Sequence, residues 1–159
     1  MKFIHAMAVA ATLSTSTAMA QEERGTAQAT LAGKAVAVEY GRPVLAGRDM
    51  LGQARTGTPW RMGAGSPTSL KTGADLMFGA VAIPAGSYIL TAVKDENGAW
   101  TLIATGSTSQ AKVAEVPLAS TVLKDSVEKF TIELAGKGNE GEFAMMWGTA
   151  RMSAPFQAK

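Results

Sequence analysis

Arginines set among aromatic and glycine residues are the feature of this sequence best suited to recognition chemistry. They occur as Tyr40-Gly41-Arg42-Pro43, then Gly47-Arg48, then Pro59-Trp60-Arg61-Met62-Gly63-Ala64. A guanidinium presents a planar fork of donors to a carboxylate or phosphate. A Trp or Tyr face stacks on a sugar or a cation. Tyr40, Arg42, Arg48, Trp60 and Arg61 are therefore the candidate ligand-binding residues, for a small anion or a glycan. The competing reading is structural, because the backbone of a long loop needs hydrogen-bond partners as much as a ligand does. Residue types alone weigh toward that structural reading. Arg61, flanked by Trp60 and Met62, reads as structural. Arg48, between Gly47 and Asp49, reads as the more exposed.

Other chemistries are excluded or weak. The chain has no cysteine, and its one histidine, His5, lies in a leader argued below to be removed. That eliminates disulfides, thiol catalysis, Ser-His-Asp triads and Cys- or His-ligated zinc in the mature protein. No phosphate-binding loop, dinucleotide fingerprint or nucleophile elbow is present. Ser126-Val127-Glu128-Lys129 and Lys71-Thr72-Gly73 match fragments of penicillin-recognising enzymes, but in reversed order and outside the right context. Asp95-Glu96-Asn97-Gly98 opens like a calcium loop and lacks the later ligands. Met50, Met62, Met77, Met145, Met146 and Met152 lack the close spacing of a copper site and read as core. No cofactor and no metal are expected. Catalysis, if any, falls to carboxylates. Asp49 and Asp75 stand nearest the arginine-rich stretch and would need to approach within roughly 5–10 Å of each other.

Residues 1–20 read as a secretory signal peptide. Lys2 gives the basic start, Ala6 to Leu13 the short apolar run, and Ala18-Met19-Ala20 the small-x-small cleavage pattern. Cleavage after Ala20 leaves 139 of the 159 residues. An apolar run about half the ~20 residues of a membrane span predicts no membrane span. The expected location is outside the cytoplasm, in a periplasm, since the lack of disulfides in an oxidising compartment suits a bacterial envelope. The chain carries 15 basic and 13 acidic side chains, and losing Lys2 leaves 14 against 13. So small an excess gives no basis for nucleic acid as a partner.

The elements that must position these residues are strands. Residues 21–26 read as a short polar linker and 27–157 as a single domain. Val36, Val38 and Tyr40 alternate with polar neighbours. Gly41 to Gly65 has six glycines, two prolines and little periodicity, a long loop ordered by Pro43 and Pro59. Asp75 to Ile83 is extended and broken at Gly79. Ile83-Pro84-Ala85-Gly86 fits a type I turn. Ser87–Lys94 and Ala99–Thr105 form a hairpin across Asp95–Gly98, with Asn97-Gly98 supplying positive φ. Ile89, Val93, Trp100 and Leu102 are expected on one face and Tyr88, Leu90, Ala92 and Ile103 on the other, both covered. Lys112–Val116 is a strand stopped by Pro117, and Val122–Asp125 suits a turn of helix. Phe130, Ile132 and Leu134 point inward, as do Phe143, Met145 and Trp147 of the last strand. Seven to nine short strands predict an all-β fold, an antiparallel β-sandwich or jelly-roll-like barrel. An outer-membrane barrel is disfavoured by short strands and 6% aromatics.

The arginine motifs, with Thr68 and Ile83-Pro84-Ala85-Gly86-Ser87-Tyr88, resemble the secreted bacterial family of domain of unknown function 2911. The resemblance covers residues 28–152 through Y-G-R-P, G-R, P-W-R-x-G-A and P-A-G-x-Y. It departs at Gly65-Ser66-Pro67, where the family pattern has an acidic or amide residue before a small one. It implies an extracytoplasmic β-rich domain and brings no catalytic assignment. The resulting expectation is a secreted binding module whose partner is a small anionic or sugar ligand. The alternatives are a carboxylate-dependent hydrolase and an assembly protein that binds another envelope protein through an edge strand.

Overall fold

A computed structural model describes residues 22–159, all as strands and connections. The leader assigned to residues 1–20 lies outside the described residues. The strands are β1 (Arg24–Leu31), β2 (Lys34–Gly41), β3 (Ser69–Thr72), β4 (Leu76–Phe78), β5 (Val81–Ile83), β6 (Gly86–Lys94), β7 (Trp100–Gly106), β8 (Lys112–Lys137) and β9 (Glu140–Ala158). They form one open antiparallel sheet in the order β1-β2-β3-β6-β7-β8-β9-β4-β5. The all-β, sandwich-like expectation holds.

The core follows from period-two side-chain alternation. β2 buries Val36, Val38 and Tyr40, β6 buries Tyr88, Leu90 and Ala92, and β7 buries Trp100, Leu102 and Ala104. Phe130 and Ile132 of β8 meet them with Phe143, Met145 and Trp147 of β9. β8 carries the chain from one part of the sheet to the other. Its start pairs with β7, as in Leu102↔Val116 and Trp100↔Leu118. From Ala119↔Ser153 onward it pairs with β9.

Several details differ from the sequence reading. β1 begins at Arg24, so the latter part of the supposed linker at 21–26 is strand, paired Arg24↔Gly41 and Thr26↔Glu39. The β6–β7 hairpin pairs Lys94↔Trp100 and Ala92↔Leu102, because Ala99 belongs to the turn. One extra turn residue shifts register and exchanges faces. Trp100 and Leu102 therefore share the inner face with Tyr88, Leu90 and Ala92, while Ile103 joins Ile89 and Val93 on an outer face that is only half-buried. Within that turn Gly98 has φ 81° and Asn97 does not enter the positive region. The turn is the type I form followed by a left-handed glycine, with the Gly98 N–H donating to the Asp95 carbonyl. Residues 83–86 make a bend instead of a hydrogen-bonded turn. Pro117 does not end its strand. It sits opposite Thr101 just before β8 changes partner from β7 to β9, where the ladder tolerates a missing donor.

The expected helical turn at Val122–Asp125 is a bulge. Val122 pairs with Ala150 and Val127 with Gly148, so four residues, 123–126, stand opposite Thr149 alone. A second irregularity follows, because Val127 pairs with Gly148 and Thr131 with Met146, leaving 128–130 opposite Trp147. The long loop fills this second gap. The Phe130 N–H donates to the Pro43 carbonyl and the Leu45 N–H to the Glu128 carbonyl, around an isolated Val44↔Lys129 bridge.

Candidate functional site

The first motif ends β2, with Tyr40 and Gly41 buried and Arg42 and Pro43 half-buried beyond it. Tyr40 is buried, donates its hydroxyl to the Ile132 carbonyl at 3.3 Å, and meets Phe130 edge-on at 5.7 Å. Each guanidinium nitrogen of Arg42 is engaged by the protein. Its Nε donates to the Phe130 carbonyl at 3.2 Å, its Nη2 to Thr131 Oγ1 at 3.1 Å, and its Nη1 to Glu23 Oε1 at 3.3 Å. Glu23 also accepts from Lys129 Nζ at 2.7 Å. That hydrogen bond, against a smaller cost of burial and helped by the charges of Lys129 and Arg42, holds the Glu23 carboxyl below the usual range.

Trp60 is half-buried and packs against the core. Its N–H and carbonyl exchange hydrogen bonds with Ala92 at 2.8 and 2.9 Å, which adds a rung to the edge of β6. The ring stacks on Trp147 at 6.0 Å and an 11° angle, and lies edge-on to Phe130 at 5.1 Å and Trp100 at 5.8 Å. All three tryptophans of the chain thus share one cluster. Arg61 donates to the Gly65 carbonyl at 3.0 Å and is otherwise exposed. Next to it Met62 is fully buried at φ 56°, and its carbonyl accepts from Thr68 Oγ1 at 2.7 Å.

The glycines show why these motifs travel together. A Cβ on Gly41 would overlap the Ala64 carbonyl, and one on Gly63 would lie 2.7 Å from the Gly41 carbonyl oxygen. Tyr-Gly-Arg-Pro and Pro-Trp-Arg-Met-Gly-Ala therefore meet backbone against backbone. The Pro-Ala-Gly-Ser-Tyr segment is fastened separately. Tyr88 donates its hydroxyl to the Pro84 carbonyl at 2.5 Å, and Asp75 Oδ1 accepts from the Ala85 N–H at 2.8 Å. Burial, with a smaller contribution from Asp75, raises the Tyr88 pKa above 10.0. At Gly65-Ser66-Pro67 no acidic side chain is needed for attachment, since Arg61 and Arg24 reach the carbonyls of Gly65 and Ser66.

Arg48 is placed differently. It is exposed, and its one contact is a long 3.5 Å bond from Nε to the Leu45 carbonyl. It lines a cleft of about 640 Å³ between the 45–52 loop, the β6–β7 turn and the bulged part of β8 against β9. That size falls within the roughly 300–1,000 Å³ of small-molecule sites. Trp100 and Trp147 form part of its wall but are only 5% and 4% exposed. Lys94 also lines it, with Nζ donating to the carbonyls of Leu51 at 3.3 Å and Gly52 at 2.9 Å. Asp49 contributes the one carboxylate, and its Oδ1 accepts from the Gly52 N–H at 2.9 Å.

Of the five sequence candidates, the structure buries Tyr40, leaves Arg42 and Trp60 half-buried against the core, and places Arg48 on a cleft, with Arg61 on a neighbouring turn. Sequence reasoning missed Lys94, Ser120, Val122, Ser126 and Thr149, which also line the cleft. No local pattern marks them, because the β8 bulge brings them together. Asp49 and Asp75 serve separate turns and share no partner. Among the described residues no three His, Cys, Asp or Glu side chains gather as a metal site, and no helix is long and apolar enough to cross a membrane.

No curated protein and no solved structure matches the chain. A family model described as Protein of unknown function (DUF2911) matches residues 22–156. The matched span runs from the Glu23 anchor through every motif described above to the end of the β9 core, and the chain belongs to the DUF2911 family.

Proposed function

We propose that the protein is exported by its first 20 residues and works in the periplasm as a small-ligand-binding module, with the cleft beside Arg48 as its site. The observation that carries this reading is the contrast between the arginines. All three guanidinium nitrogens of Arg42 have partners within the protein, whereas Arg48 keeps both Nη groups unpaired among the described residues at the rim of a concave cleft. An ordered loop with a charged fork left over at a cavity is what a binding site requires. The carboxylate-dependent alternative is weakened by the separate structural duties of Asp49 and Asp75.

Binding is tested by thermal denaturation of the mature protein with sugars, carboxylates, phosphates and metal salts. A ligand of the folded state raises the melting temperature. At least one organic anion or sugar is expected to do so, with loss of the shift in Arg48→Ala. A shift that survives Arg48→Ala unchanged would move the site elsewhere. Export is tested by the intact mass of protein from a periplasmic extract, expected to begin at Gln21; a full-length cytosolic product would refute it.

A further inference from the structure

The geometry points to a sugar anion as the ligand of this cleft: a hydroxylated ring carrying one carboxylate or phosphate, gripped by the Arg48 fork. The inference rests on the cleft being the binding site and adds the class of molecule that fills it.

Charge selects the anion. Arg48 and Lys94 both line the cleft, and neither is paired with a carboxylate among the described residues. The Leu51 and Gly52 carbonyls that hold the Lys94 ammonium are neutral, and no salt bridge engages it among the described residues. Asp49 is the one acid present, and one of its oxygens is occupied by the Gly52 N–H. Two cations face one carboxylate, and a planar guanidinium with both Nη groups unpaired favours bidentate contact with a carboxylate or phosphate.

The rest of the lining selects the ring. Ser120, Ser126 and Thr149 are exposed residues of the cleft lining, and each carries a hydroxyl. A fatty or aromatic acid would cover these hydroxyls without pairing them, which opposes binding. Val122 stands in the same lining at 86% exposure, the most exposed of the large hydrophobic side chains described. A bare phosphate or acetate would leave Val122 in water. A sugar satisfies both sides, with C–H groups against Val122 and Leu45 and hydroxyls toward the Ser and Thr side chains.

The test is isothermal titration and thermal denaturation of the mature protein with glucuronate, glucose 6-phosphate, glucose and inorganic phosphate, each at the same concentration. Glucuronate or glucose 6-phosphate should bind and raise the melting temperature, and the stronger of the two identifies carboxylate or phosphate as the anion. Glucose and inorganic phosphate should do neither. Arg48→Ala should weaken binding about tenfold or more, equivalent to about 1.4 kcal/mol, without lowering the melting temperature of the free protein. Val122→Ser should weaken it severalfold. Equal binding of glucose, or undiminished binding by Arg48→Ala, overturns the sugar-anion assignment. So does failure of all four compounds. If the broader screen then finds another cleft ligand, the binding-module reading survives; if it finds none, both fall.

Discussion

Arg42 and Arg48 are six positions apart and differ in everything but residue type. Arg42, just past the end of β2, bonds two acceptors on β8, the Phe130 carbonyl and Thr131 Oγ1, and a third, Glu23, just ahead of β1. Its removal takes a donor from the Phe130 carbonyl and leaves Glu23 held by Lys129 alone. Arg42→Ala should therefore cost about 1–3 kcal/mol in urea denaturation, whereas Arg48→Ala should stay within about 0.5 kcal/mol. Phe130→Ala should cost ~3–5 kcal/mol, because the ring is fully buried among Tyr40, Trp60 and Trp147. Glu23 adds a pH dependence. Its folded pKa is depressed, so its contribution is present above the unfolded value of 4.5 and lost as pH falls through the lower folded value. Comparing the parent with Glu23→Gln should show a stability difference at neutral pH that vanishes in acid. A difference that persists there would mean the carboxylate is not the anchor.

At the scale of elements, alternation was legible wherever one face is buried. Val36, Val38 and Tyr40, and Phe130 with Ile132, lie where period two puts them. Register was not legible. The β6–β7 faces exchanged because Ala99 joins the turn, a one-residue matter that apolar residues on both faces could not decide. The partner change in β8 was hidden as well, since Pro117 looks like a stop unless the switch from β7 to β9 is known. The cleft was illegible for the same reason, being built where β8 bulges. Gly41 and Gly63 explain why two motifs separated by a long loop occur together. Gly41→Ala would drive a methyl into the Ala64 carbonyl, with backbone on both sides and no flexible side chain to yield. It should cost about 1–3 kcal/mol or more by the same denaturation assay. A neutral result would separate the two motifs.

At the scale of the molecule, a chain without cysteine is held by one core against which a long loop packs the half-buried Trp60. Fold class was readable from composition and turn chemistry, because nine strands in 138 described residues leave a turn or loop signal at most junctions. The site was only partly readable, because a guanidinium looks the same in sequence whether its acceptors are carbonyls or ligands. The division between a structural Trp60 and an unpaired Arg48 fork is the central claim, and native-state amide hydrogen exchange tests it most directly. The Trp60 and Ala92 amides, which bond to each other's carbonyls, and the Leu45 amide on Glu128, should exchange only through global unfolding, like the core of β2 and β6. Loop-like exchange of the Trp60 and Leu45 amides, with the β2 and β6 amides still protected, would contradict the claim and return the whole arginine and tryptophan loop to the surface.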